Sequence, residues 1–184
     1  KIYKYSSSFT FEDGQTLPSI EIAYTDEGDA DAPVVWVCHA LTANADPEQW
    51  WPGLVGLGKL LDHTRYRVIC ANILGSCYGT SGPATEVHGK KYGASFPLVT
   101  IRDMVNAHKL LQAHLGITKI YLSLGGSMGG QQVVEWAIQD PYLFEYICLL
   151  STNARFSPWG IAFNEAQRMA IEAGMDDEGN VIKP

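Results

Sequence analysis

The sequence predicts an α/β fold with a mainly parallel sheet flanked by helices, and three observations predict it. Four short runs are largely apolar, as strands buried on both faces are: VVWVC at 34–38, RVICAN at 67–72, IYLSL at 120–124 and YICLL at 146–150. Segments with helical spacing alternate with these runs, the order that winds a parallel sheet. A glycine-rich bend, GGSMGG at 125–130, joins one run directly to a helix pattern.

In chain order, β-favouring residues at 9–11 and 19–24 surround the turn Glu12-Asp13-Gly14 and predict an opening hairpin. Residues 26–33 are polar and turn-rich, and the first apolar run follows. Residues 72–94 carry Gly75, Gly79, Gly82, Gly89 and Gly93 with no periodicity; so long a loop in a compact domain is usually functional. Between 100 and 115, Ile101, Met104, Val105, Ala107, His108, Leu111 and Leu115 fall largely at helical spacing, and Gly116 ends the helix. Asp103 suits the positive end of that helix, so it and Arg102 are read as structural. A second helix over 131–139 stops before Asp140-Pro141. The strand ending at Leu124 is expected at the centre of the sheet, and Trp50, Trp51 and Trp136 in the core.

The bulk numbers exclude several classes. The 184 residues predict one domain, and 46% hydrophobic with 18% charged residues is a globular composition. A net charge of −7 opposes binding to nucleic acid or anionic lipid. No apolar run approaches the ~20 residues of a membrane helix, and no signal segment opens the chain, so no membrane is expected. Cys38, Cys70, Cys77 and Cys148 form no C-x-x-C pair and are expected to be reduced, buried thiols of a cytoplasmic protein. His39, His63, His88, His108 and His114 lack ligand spacing, so no metal is expected.

The bend satisfies G-x-S-x-G between a strand and a helix, the context that gives the pattern its value. Such a turn lifts the serine hydroxyl above the sheet over a helix N-terminus, whose partial positive charge suits the anions of acyl transfer. Ser127 is therefore the candidate nucleophile. No lysine follows to make a phosphate loop, and the dinucleotide fingerprint does not fit. An oxyanion would need two donors: the amide of Met128, and one from the loop after an earlier core strand, for which Leu41 is chosen. His39 sits in that loop and reads as a structural brace rather than a base.

Several motifs in matching order resemble the homoserine O-acetyltransferases of the α/β-hydrolase superfamily. They are His39-Ala40-Leu41-Thr42, Trp50-Trp51 with Gly53-Leu54-Val55-Gly56, NILGSCYGTSGP at 72–83, FPLVTIRDM at 96–104, the bend itself, and Glu135-Trp136-Ala137. The similarity runs from about Tyr24 to the NEAQR segment at 164–168. It implies an incomplete α/β-hydrolase fold: the N-terminal part of the core over 1–151, and the start of a helical lid insertion over 152–184. It implies acetyl transfer from acetyl-CoA, as co-substrate, to Ser127 and then to L-homoserine in methionine biosynthesis, and a homodimer at full length. Tyr78 and Arg155 are expected to face the substrate. The triad order of this fold is serine, acid, histidine. No histidine follows Ser127, and none of the later acids (Glu135, Asp140, Glu145, Glu165, Glu172, Asp176, Asp177, Glu178) lies after a further core strand. The chain is thus expected to hold only the front half of the machinery. Three alternatives stay open: an esterase, a succinyl or serine acyltransferase, and a non-catalytic, hydrolase-like binding protein.

Overall fold

The structure, a computed structural model, describes residues 1–87 and 89–176; His88, Asp177 and Glu178 lie outside the described residues. The chain forms two compact units, Lys1–Thr152 and the residues from Asn153 onward.

The first unit runs β1 (Ile2–Tyr5), β2 (Phe9–Thr10), β3 (Thr16–Leu17), β4 (Ile20–Glu27), β5 (Val34–Cys38), α1 (Pro47–Trp50), β6 (Arg67–Ala71), β7 (Glu86–Val87), β8 (Lys90–Lys91), α2 (Ile101–His114), β9 (Ile120–Gly126), α3 (Met128–Gln139) and β10 (Phe144–Leu150). Six strands make the main sheet in the order β1-β4-β6-β5-β9-β10. The pairs β6–β5, β5–β9 and β9–β10 are parallel, whereas β1–β4 and β4–β6 are antiparallel. A mainly parallel sheet is therefore observed.

The all-apolar strands follow from cover on both faces. Trp36 and Cys38 of β5 enter one cluster with Ile69, Val105, Leu111, Val133 and Trp136; Val35 and Val37 enter the opposite one with Val55, Leu61, Cys70 and Leu124. Trp136 is fully buried, and Trp50 and Trp51 pack part-buried against the second cluster. Helix α2 starts at a capping box: the Asp103 N–H donates to Thr100 Oγ1 (3.2 Å), and the Thr100 N–H donates to Asp103 Oδ2 (2.9 Å). The other Asp103 oxygen accepts from the Glu12 N–H (2.8 Å), and Arg102 pairs with Glu12 and Glu135 at 2.6 and 2.7 Å. Both residues hold the fold together, as their place at the helix start led one to expect.

Four expectations need correction. The opening hairpin closes at Thr16–Leu17, not at 19–24; that segment pairs antiparallel with Ile2–Tyr5, a four-residue strand whose outward face carries apolar Ile2 beside Lys4. The strand carrying Leu124 lies second from the sheet edge rather than central among the described strands. Strand β10 is apolar yet largely exposed, because nothing among the described residues pairs with its outer edge. The four cysteines are all free, but only Cys38 and Cys70 are buried; Cys148 is half-buried on that edge, and Cys77 is exposed on the loop after β6. Burial pushes the Cys38 thiol up to about 12, which makes it inert at neutral pH.

The described part of the second unit contains α4 (Pro158–Glu172). Ser157 caps it by accepting from the Gly160 N–H (3.1 Å), with Pro158 in its first turn. None of its residues is buried; Trp159 and Phe163 stack at 5.3 Å, and Arg168 pairs with Glu165 and Glu172. No helix among the described residues is long and apolar enough to cross a membrane.

Candidate active site

Strand β9 ends at Gly126 and α3 begins at Met128, so the whole reversal falls on Ser127. Its backbone takes φ 53° and ψ −122°, a region that a non-glycine residue holds only at a cost of about 1–3 kcal/mol. The surrounding contacts impose it. The Ser127 N–H donates to the Leu150 carbonyl (3.0 Å), and the Thr152 hydroxyl donates to the Ser127 carbonyl (2.7 Å). The flanking glycines are required by close approach: a Cβ on Gly125 would lie 2.3 Å from the Gly129 backbone, and one on Gly129 would lie 2.1 Å from the Cys38 carbonyl oxygen. A serine at a helix N-cap ordinarily bonds its hydroxyl to the first turn. Ser127 does not, and the residue is exposed. Its hydroxyl stands over the positive end of a 12-residue helix, unspent on the fold.

The loop after β5 lies on the same sheet edge, because β5 and β9 are parallel neighbours with Cys38 opposite Gly125. Residues Ala40 to Ala43 form a turn (Ala43 N–H to Ala40 carbonyl, 3.1 Å) with Leu41 at its exposed corner. Among the described residues, no backbone carbonyl takes the N–H of Leu41 or of Met128. His39 is fully buried, and both of its ring nitrogens are used. Nε2 accepts from the Ile73 N–H (3.2 Å), which puts the ring proton on Nδ1, where it is donated to the Ala40 carbonyl (2.7 Å). Burial also pushes the ring pKa down. His39 is thus the brace that its position suggested.

Tyr78 is half-exposed on the loop after β6; its backbone bonds Asn72 and Ser76, and no hydrogen bond or ring contact among the described residues joins its side chain to the Ser127 turn. That loop instead extends the sheet, with Ser81 and Thr80 hydroxyls accepting from the Glu21 and Ala23 amides at 2.8 and 3.0 Å. Arg155 is exposed in the second unit. Sequence reasoning passed over two residues of the turn, Thr152 and Gln132. Gln132 is fully buried and shares one helix face with Gly129, Val133 and Trp136. A glutamine inside that stripe was the available signal.

The strand–serine–helix turn and sheet order define a class. A family model for the alpha/beta hydrolase fold matches residues 33–173, and the chain belongs to that family. Within it, similar curated relatives include homoserine O-acetyltransferases. The one from Chlorobium luteolum is 47% identical over 178 residues, which cover 94% of this chain and 50% of the relative. Among solved structures, homoserine O-acetyltransferase from Staphylococcus aureus superposes with a TM-score of 0.82 at 28% identity, covering 95% of this chain and 53% of that one. Esterase E22 superposes at 0.85 with 27% identity, covering 100% of this chain and 55% of that one. The chain spans about half the length of the curated relatives it matches.

Proposed function

We propose that these residues form the nucleophile half of a homoserine O-acetyltransferase, with Ser127 as the residue that carries the acyl group. The single observation behind the proposal is the Ser127 turn: a strained serine that caps nothing, exposed above a helix N-terminus. In the reaction a base takes the Ser127 proton as the oxygen attacks the thioester carbonyl of acetyl-CoA. The resulting oxyanion accepts from the amides of Leu41 and Met128. The C–S bond then breaks, the CoA sulfur leaves as the thiol with the proton held by the base, and acetyl-Ser127 remains. The hydroxyl of L-homoserine attacks that ester, releasing O-acetylhomoserine and restoring the serine.

The base and its orienting acid are proposed to come from residues outside these 184. No histidine follows Ser127. His39 has both nitrogens committed to backbone groups, and His108 is fully buried against Gln132. Tyr78 and Arg155 are retained as proposed substrate contacts, α4 as the start of the lid, and a homodimer as the assembly. Free cysteines throughout fit a reducing, cytoplasmic setting. The likeness to esterase E22 supports a second reading, hydrolysis of acyl esters by the same serine.

The test is a donor and acceptor survey of the full-length enzyme. Acetyl-CoA with homoserine should release CoA and form O-acetylhomoserine, and Ser127→Ala should lower kcat by roughly 10⁴–10⁶-fold. Release of acetate without transfer would favour the esterase; a clear preference for succinyl-CoA would reassign the donor.

A further inference from the structure

The proposed oxyanion donors sit on two different elements, Leu41 on the loop after β5 and Met128 at the start of α3. Two amides on separate elements bind one oxyanion only if the separation of those elements is fixed. The side chain that spans them is Gln132.

Its Nε2 donates to the His39 carbonyl (3.2 Å), two residues before Leu41, and to the Met128 carbonyl (3.3 Å) in its own helix. Its Oε1 accepts from His108 Nε2 (3.0 Å), which lies on α2. Two carbonyl acceptors on one side allow only the amide nitrogen there, so the oxygen faces His108 and the His108 proton sits on Nε2. His108 Nδ1 has no partner among the described residues, which agrees with that tautomer. The His108 ring packs against both Trp36 and Trp136, each 5.9 Å away between centroids, and the two indoles contact each other at 5.1 Å. Gln132 and His108 are both essentially fully buried, at 0% and 1% exposure. A buried amide costs stability unless its hydrogen bonds are met inside the protein, and in Gln132 the three contacts above meet them.

We propose that Gln132, held by His108, is a positioning residue that sets the distance between the Leu41 and Met128 amides and so tunes oxyanion stabilisation. The inference rests on the acyl-transfer reading of Ser127. It predicts a kinetic signature that a merely structural glutamine would lack. Gln132 touches no substrate, so KM for the acyl donor should stay within about twofold. Misplaced donors weaken only the transition state, so kcat for acylation should fall by roughly 10–100-fold.

The experiment measures acyl-enzyme formation in the full-length enzyme for Gln132→Met, Gln132→Glu and His108→Leu, at a temperature where circular dichroism shows each variant folded. Methionine keeps the volume and removes every hydrogen bond. Glutamate keeps the shape but cannot donate to both carbonyls. His108→Leu leaves Gln132 in place and frees only its far end, so it should show a smaller loss of kcat, about 3–10-fold; it also carries the test should the Gln132 variants not fold. Folded variants with wild-type kcat and lowered melting temperature would overturn the inference while leaving Ser127 as nucleophile. A wild-type enzyme that forms no acyl-Ser127 at all would overturn both, and the two failures are thereby distinguished.

Discussion

Strands β9 and β10 are neighbours in one parallel sheet, yet they end in opposite circumstances. At the end of β9 the backbone around Ser127 is held on several sides: glycine against carbonyl, serine amide to Leu150, Thr152 to the serine carbonyl, Gln132 across to the next loop. One strand away, Tyr146, Ile147, Leu149 and Leu150 are exposed at 37–55% although all are apolar. The difference separates two tasks. The geometry of the Ser127 turn is built from contacts among the described residues, whereas no described strand pairs with the outer edge of the sheet. Strain of the Ser127 kind persists only where the surroundings over-determine it, and here the contacts just named do so.

Two substitutions should break that contrast most strongly. Gly129→Ala puts a methyl 2.1 Å from the Cys38 carbonyl oxygen, backbone against backbone with no flexible group to yield. It should destabilise this chain by about 4 kcal/mol or more. Ile147→Thr on the exposed edge should change stability by less than about 0.5 kcal/mol while reducing binding of a hydrophobic dye. Urea unfolding followed by tryptophan fluorescence measures both; equal costs at the two sites would erase the distinction.

A smaller effect should appear with pH. Burial pushes the His108 ring down to about 4, against the hydrogen bond with Gln132 that alone would raise it. The folded ring stays neutral while the unfolded ring, with an ordinary value near 6.5, takes up a proton. The stabilisation is therefore complete above about pH 6.5 and is lost as the pH falls towards 4, by about 3 kcal/mol in all. His39, also pushed down by burial, adds loss in the same direction. Unfolding midpoints across this range should fall on acidification, and His108→Leu should flatten the slope.

Much of this is legible in the sequence. The β5, β6 and β9 runs show themselves because burial on both faces leaves them few polar residues, Arg67 in β6 and Ser123 in β9, and α2 because Thr100, Asp103 and Gly116 mark its ends. The Ser127 turn was legible for the same steric reason that it exists, since only glycine fits at positions 125 and 129. What was missed depends on contacts far apart in sequence. Strand β1 hides because it is only four residues long and its outward face mixes apolar Ile2 with Lys4, which pairs with Glu21 at 3.2 Å. An apolar run signals a strand but not its place in the sheet, so β10 was read as buried. Gln132 could not be assigned from sequence: its partners, His39 and His108, lie 93 and 24 residues away. On the acyl-transfer reading proposed above, the base and acid for Ser127 come from residues beyond these 184, and the chain spans about half the length of the curated relatives it matches.

The central claim, that Ser127 is poised by this segment but activated from outside it, has one direct measurement. The full-length enzyme and the 184-residue chain are each incubated with acetyl-CoA, digested, and the mass of the Ser127 peptide followed with time, before and after addition of homoserine. The account predicts one acetyl group on Ser127 of the full-length enzyme, removed by homoserine. It predicts acetylation of the isolated chain slower by several orders of magnitude, since a neutral hydroxyl without its base is a weak nucleophile. Rapid, homoserine-reversible acetylation of Ser127 in the isolated chain would show that a base lies within these residues, with His39 the first to re-examine, and would contradict the account.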